Sequence, residues 1–197
     1  MINISILNYG CGNILAQYDY DKQFPILGFG GIPEGGNVVE HSFPLNYNFN
    51  GSPIVNSVDE MVNCYKNALR RTRLYGPTNF APLIKNTTNI AKNSTPENYF
   101  ILMILTDGCI SDMEDTEEAI VEASYFPISI VIIGIGNEDF SRMEILDGDE
   151  IPLQSSVSGR IVQRDIVQFV EFRKHEGNGA RLAEEVLQEI PKQVEDY

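Results

Sequence analysis

The sequence predicts an α/β protein with a three-layer, doubly wound, mostly parallel sheet, and three observations carry that prediction. The first is the apolar run Tyr99 to Leu105, closed by Thr106-Asp107-Gly108. Such a run reads as a strand buried on both faces at the centre of a parallel sheet. The second is a similar run, Ile128-Ser129-Ile130-Val131-Ile132-Ile133-Gly134-Ile135-Gly136. The third is the alternation of strand runs with stretches of helical periodicity, the pattern of parallel strands joined by helical crossovers.

The chain has 197 residues, of which 43% are hydrophobic. That is enough for a single domain with a sizeable core, so residues 1–197 read as one domain. The formal net charge of -14 excludes simple electrostatic binding to phosphate backbones or anionic lipid headgroups. Arg70, Arg71 and Arg73 are the only basic cluster. They fall near the end of a predicted helix, where they complement its dipole. Cys11, Cys64 and Cys109 are odd in number, far apart and without His at metal-ligand spacing, so they suggest neither a disulfide framework nor zinc. A reducing cytosol is the expected setting. The start of the chain lacks the pattern of a signal peptide, and no run is long enough to span a bilayer.

In chain order, Ile2, Ile4 and Ile6 alternate as in a strand, whereas Ile4, Leu7, Cys11, Ile14/Leu15 and Tyr18 recur at helical spacing. The later part favours a helix, weakened by Gly10 and Gly12 at up to about 1 kcal/mol each. Phe24 to Gly30 is a short strand, ended by the turn-rich Gly31 to Gly36. Val38 to Phe49 reads as an edge strand, because Pro44 cannot donate to a central ladder. Ser57-Val58-Asp59-Glu60 is a capping box, and the helix it opens carries the stripe Val58, Met61/Val62, Tyr65, Leu69. After the turn Leu74 to Asn79, a short helix from about Phe80 turns Leu83, Ile84 and Ile90 inward. Beyond the first apolar run, Asp115-Thr116-Glu117-Glu118 reads as a second capping box, opening a helix through Ala123 that Pro127 stops. Ile166 to Phe172 is a third strand, and Ala180 to Ile190 a closing helix with Leu182, Val186, Leu187 and Ile190. The stretch from Ser141 to Asp165 has no clear element and reads as a long connection.

Function follows from what stands at the strand ends. Ligands of open α/β sheets collect beyond the carboxyl ends of the strands, which places Asp107 where a metal or substrate would be met. Capping of the loop or of the next helix is the alternative role for that carboxylate. Gly134-Ile135-Gly136 lacks the third glycine of a dinucleotide fingerprint, and no phosphate-cradling loop ends in Lys-Ser/Thr. A phosphoryl-transferring Asp107 would need a second carboxylate to share magnesium; two residues on stands Cys109, leaving Asp112 or Asp115 to substitute. His41 on the edge strand and His175 in a polar loop have no nucleophile elbow to serve. Asp147-Gly148-Asp149-Glu150 suggests calcium but lacks the spaced ligands of an EF-hand, so it reads as a solvated acidic loop.

Several stretches together resemble the copines, in their carboxyl-terminal von Willebrand factor A-like domain. They are Tyr18-Asp19-Tyr20-Asp21-Lys22, Phe24-Pro25, Gly28-Phe29-Gly30 and Leu74-Tyr75-Gly76-Pro77-Thr78-Asn79-Phe80-Ala81-Pro82. With them go Leu105-Thr106-Asp107-Gly108, Leu146-Asp147-Gly148-Asp149 and Arg164-Asp165-Ile166-Val167-Gln168-Phe169-Val170. They run in family order from about Ile14 to the end. Plant RING-type ubiquitin ligases carry a related domain that differs at the positions of Tyr75 and Thr106.

The resemblance implies a metal-ion-dependent adhesion site, which in such domains holds Mg2+ or Mn2+ on three loops. Thr78 matches the threonine of the second loop and Asp107 the aspartate of the third. The first loop, with its Asp-x-Ser/Thr-x-Ser motif, and the first central strand have no counterpart, so a copine domain truncated at its amino-terminal end is expected. An incomplete oxygen shell leaves a coordination position for a partner's carboxylate, which is binding chemistry with no catalytic residue. The implied function is a non-enzymatic protein-interaction module whose partners offer an acidic side chain. The family's calcium-dependent phospholipid binding resides in domains outside this chain. No nucleic-acid or direct membrane binding is therefore expected of it, while calcium would recruit a full-length cytoplasmic parent to the plasma membrane. The rival readings are a metal-dependent phosphatase-like enzyme using Asp107 and a fragment of a copine-domain ubiquitin ligase.

Overall fold

The structure is a computed structural model that describes residues 16, 19, 21–46, 52–95, 97–149, 151–175 and 177–197. The expected helix through Ile14 and Leu15, the alternating Ile2 to Leu7, and Cys11 lie outside the described residues. The chain forms two compact units, Met1–Pro77 and Thr78–Tyr197.

The first unit is built from two-residue strands in antiparallel pairs. β1 (Phe24–Pro25) pairs with β5 (Ile54–Val55), β2 (Leu27–Gly28) with β4 (Phe43–Pro44), and β3 (Gly31–Ile32) with β6 (Arg73–Leu74). The strand expected over Phe24 to Gly30 is thus broken, its halves pairing with different partners. The long edge strand expected over Val38 to Phe49 reduces, among the described residues, to β4 and a bridge from Glu40 to Gly31. Gly28 lets two elements approach closely: a Cβ there would come within 2.7 Å of both Leu45 and Phe43. Helix α1 (Val58–Arg71) packs Ala68 and Tyr65 on Phe43 and Leu45.

The serine of the first capping box accepts from the Glu60 N–H at 3.2 Å, as expected, but Glu60 reaches one residue further back, accepting from the Asn56 N–H at 2.8 Å. The buried face of α1 is Val58, Val62, Cys64 and Ala68, whereas Leu69 is exposed. The apolar stripe is thus rotated from the predicted one, because small Cys64 and Ala68 permit closer packing than Leu69 would. Arg71, in the last turn, pairs with Glu34 at 3.4 Å.

The second unit contains a three-stranded parallel sheet in the order β7 (Phe100–Thr106), β8 (Ile128–Gly134), β9 (Val167–Glu171). The ladder runs from Phe100 opposite Ile128 to Thr106 opposite Gly134, and from Ile130 opposite Val167 to Gly134 opposite Glu171. All of β8 and β9 is buried, while Phe100, Ile101, Leu102 and Met103 are only half-buried. Among the described residues β7 has a strand neighbour on one side only, β8, which lies between β7 and β9.

Helices α2 (Ala81–Lys92) and α3 (Met113–Ala123) pack together, α2 also touching β7. In α2, Leu83 and Ile84 are buried as predicted, but Ile90 is exposed and Thr88 and Ala91 take the inner face. The second capping box does not form, because α3 starts earlier, at Asp112, and Asp115 lies in its first turn. The long connection holds α4 (Ser141–Asp147), packed on β9, followed by a hairpin-like loop from Leu153 to Val162. The closing helix divides into α5 (Gly179–Leu187) and α6 (Ile190–Glu195), with Pro191 in the first turn of α6, where its missing N–H costs nothing. No helix among the described residues is long and apolar enough to cross a membrane.

Candidate functional site

Thr106 ends β7 with its side chain buried, exchanging long hydrogen bonds of 3.3 and 3.4 Å with the backbone of Gly108. The chain therefore turns at once, leaving the following Asp107 exposed at the carboxyl end of the sheet. Gly108 faces the Thr78 hydroxyl: a Cβ added to it would stand 3.4 Å from Thr78 Oγ1. Two residues separated by about thirty positions in the sequence are thus brought to one loop cluster. Ser111 holds them there. Its N–H donates to the Thr78 carbonyl at 2.8 Å, and its hydroxyl accepts from the Thr78 N–H at 3.1 Å. Arg142 donates to the Ile110 carbonyl at 3.2 Å and the Cys109 thiol to the Asp139 carbonyl at 3.3 Å, pinning the same loop from α4 and its approach.

Asp112 has a role that the spacing did not reveal. Its two carboxylate oxygens accept from the Phe80 and Ala81 N–H groups at 2.9 and 3.0 Å, and one also accepts from the Thr116 hydroxyl. Phe80 precedes α2 and has no capping side chain of its own, so a carboxylate from the start of α3 caps α2 and fixes the Thr78 loop. An aspartate just before a helix signals an N-cap of that same helix, yet Asp112 makes no side-chain cap bond to α3 and caps α2 instead. With both oxygens engaged, Asp112 does not face Asp107 as a second metal carboxylate. Asp112→Ala is expected to cost about 1–2 kcal/mol by urea unfolding and to speed amide exchange at Phe80 and Ala81. Unchanged stability would contradict this capping role.

The same end of the sheet carries Glu171, buried opposite Gly134. Lys174 at 2.9 Å, and Arg173 beside it, hold its carboxyl below the usual range despite burial. Gly134 serves packing: a Cβ there would come within 2.9 Å of the buried Phe140 ring. His175 is likewise buried, not in a polar loop, with Nε2 2.8 Å from Glu185.

The acidic loop at the opposite end of the sheet also departs from expectation. Asp147 is half-buried and accepts from the Phe169 N–H at 2.7 Å, covering a backbone donor on the outer edge of β9. Burial first, then the charges of Asp149, Glu189 and Asp165, push its carboxyl up to about 8. Burial, then Asp165 and Asp149, raise Glu189 to about 7, and burial with the charge of Asp149 raises Asp165. Oxygens of Asp149, Asp165 and Glu189 lie within 4.8 Å of one another, a crowding that a proton or a cation would relieve. A cavity of about 220 Å³ lies beside them, lined by Ile120, Leu146, Asp147, Leu153, Val162 and Asp165 among others.

The Leu153 to Val162 loop is fastened to α3 by two carboxylates from the stretch of the expected second capping box. Glu118 accepts from the hydroxyls of Ser155 and Ser158 and from Arg160, which holds its carboxyl down to about 2. Glu117 accepts from the Ser156 N–H and hydroxyl.

The second unit is thus an α/β protein with a parallel sheet, whose loops at the carboxyl end of β7 bring together an exposed carboxylate and a threonine hydroxyl. The family model described as Copine matches residues 6–197, and the chain belongs to the copine family.

Proposed function

We propose that this chain acts as a non-enzymatic protein-interaction module, a copine domain of von Willebrand factor A-like fold in which Thr78 and Asp107 belong to a metal-ion-dependent adhesion site. The observation that carries the reading is the seating of the Thr78 hydroxyl against Gly108, the residue that follows the exposed Asp107. The residues suit the group: both donors are hard oxygens of the kind Mg2+ and Mn2+ take, and the glycine leaves the hydroxyl unobstructed. Two donors do not satisfy a cation that demands octahedral geometry and gives up water reluctantly, so the ion is held weakly and keeps most of its hydration. A carboxylate from a partner protein would complete such a shell. The engagement of Asp112 by the Phe80 and Ala81 N–H groups takes one of the two candidate second carboxylates from the phosphatase-like alternative and leaves it only Asp115. We place the protein in the cytoplasm, with membrane recruitment by calcium a property of lipid-binding domains in a longer parent.

Titration calorimetry with Mg2+ and Mn2+ is expected to show weak, unsaturated binding that Asp107→Ala abolishes. Tight stoichiometric binding would mean that further ligands complete the site. Aryl phosphate hydrolysis with Mg2+, abolished by Asp107→Asn, would overturn the non-enzymatic reading.

A further inference from the structure

The three crowded carboxylates at the acidic end of the sheet come from three separate segments. Asp149 follows α4, Asp165 precedes β9 and Glu189 stands just before α6. Asp165 is fixed by its own turn, one oxygen accepting from the Val167 N–H at 3.2 Å. Among the described residues none of the three is in an ion pair; the charge of Lys192 reaches Asp165 and Glu189, but its ammonium bridges neither.

Clustered carboxylates alone are an ordinary surface feature, and what sets this group apart is Gln193. It lies on α6, is only 3% exposed, and sets its amide against the group, with Nε2 3.2 Å from Glu189 Oε2. The Oε1 of the same amide is buried without a hydrogen-bond partner, an uncommon and costly state for a carbonyl oxygen. Turning the amide about its last bond carries that oxygen to the place of Nε2, about 3 Å from a carboxylate oxygen. Two acceptors repel at that separation, whereas neighbouring oxygens around a metal ion stand about 3 Å apart.

We propose that Asp149, Asp165, Glu189 and the side-chain carbonyl of Gln193 form a Ca2+ site, at the end of the sheet opposite Thr78 and Asp107 and independent of them. All four ligands are hard oxygens, and glutamine carbonyls join carboxylates in Ca2+ shells. The spread of the group selects the ion. The carboxylate oxygens lie within 4.8 Å of one another. Opposed ligands of Ca2+, at about 2.3–2.6 Å each, stand about 5 Å apart, whereas those of Mg2+, at about 2.0–2.1 Å, stand about 4 Å apart. Ca2+ therefore fits the group nearly as it stands, while Mg2+ would have to draw like charges closer and shed water that it gives up reluctantly. The net charge of -14 favours the approach of a dication.

The test is a residue-resolved NMR titration of the whole chain, first stripped of metal by a chelator, with CaCl2 and separately with MgCl2, alongside calorimetry. The expected result is one Ca2+ per chain, saturating below about 1 mM. Its binding moves the amides of Asp149, Asp165 and Glu189 and the side-chain amide of Gln193, and MgCl2 at the same concentration leaves these signals in place. Asp165→Asn keeps an oxygen for the Val167 N–H but removes a ligand charge, and is expected to weaken Ca2+ at least about tenfold. Gln193→Met keeps the length of the side chain and removes its oxygen, and is expected to weaken Ca2+ about threefold or more. Should Gln193→Met fail to fold, the Gln193 side-chain signal of the unmodified chain decides. Absence of saturation by about 1 mM, Ca2+-dependent shifts confined to the surroundings of Thr78 and Gly108, equal binding of Mg2+, or an affinity unchanged in either folded variant would each overturn the proposal.

Discussion

Arg164→Ala is expected to destabilise the protein by about 3 kcal/mol, because it strips partners from several buried acceptors at once. The guanidinium donates to the carbonyls of Phe126 and Ile128 at 2.6 and 2.9 Å, to the Gln193 carbonyl at 3.0 Å, and to the Tyr99 hydroxyl at 3.2 Å. It also lies over the rings of Tyr99 and Tyr197, 5.8 and 5.3 Å from their centroids. One side chain thus ties the entry to β8, the residue before β7, and α6 together. In a chain of this size the loss corresponds to a fall in Tm of about 6–12 °C, read by circular dichroism. Arg164→Lys should recover only part of it, since a single ammonium cannot match the planar fork that reaches acceptors on three segments. A loss below about 1 kcal/mol would show that the network is not what fastens α6.

Stability is expected to fall as the pH rises from 5 to 8, and Asp147→Asn to remove much of that slope. Burial raises the Asp147 carboxyl from 3.8 to about 8 in the folded protein. The folded state therefore holds a proton that the unfolded chain has already released. The stabilisation is complete below the unfolded value and is lost as pH climbs through the folded one. At 1.36 kcal/mol per unit the shift would be large. Asp147 is only half-buried and shares its environment with Asp149, Asp165 and Glu189, so solvent screening leaves about 2 kcal/mol. Glu189, raised to about 7 by burial and then by Asp165 and Asp149, acts in the same direction. The carboxyl of Glu118 is held down to about 2 by the serine hydroxyls and Arg160, so its contribution is gained as the pH rises from there through the ordinary value of 4.5 and changes little above it. An asparagine keeps an oxygen for the Phe169 N–H and carries no charge, so the variant should be more stable than the original at pH 8. Denaturant unfolding at the two pH values measures this; equal slopes for variant and original would remove Asp147 from the account.

The candidate site was only half legible in the sequence. Asp107 was marked by its position after an apolar run, because the end of a buried strand is where a fold exposes chemistry. Thr78 was singled out only through the resemblance to a family, since a threonine after a Gly-Pro turn carries no signal of its own. Ser111 and Asp112, which hold the Thr78 loop in place, went unread in that role. Their partners lie about thirty residues away, and nothing local distinguishes a carboxylate that caps a distant helix from one that faces solvent. Glu117 and Glu118 show the same difficulty. They were assigned to a capping box by spacing, yet in the fold they fasten the Leu153 to Val162 loop.

What the sequence by itself determined was the set of elements governed by local patterns. The apolar runs of β8 and β9, the two-residue chemistry of Ser57 and Glu60, and the stop at Pro127 all follow from the way neighbouring residues share one backbone geometry. Tertiary structure decided the rest. It turned Cys64 and Ala68 inward in place of Leu69, took Asp112 to the start of α2, and set Asp147 against the backbone of β9. Periodicity records how often a side chain returns to one face of its own element, whereas the neighbour that buries that face, or takes up a free donor, is supplied by another part of the chain.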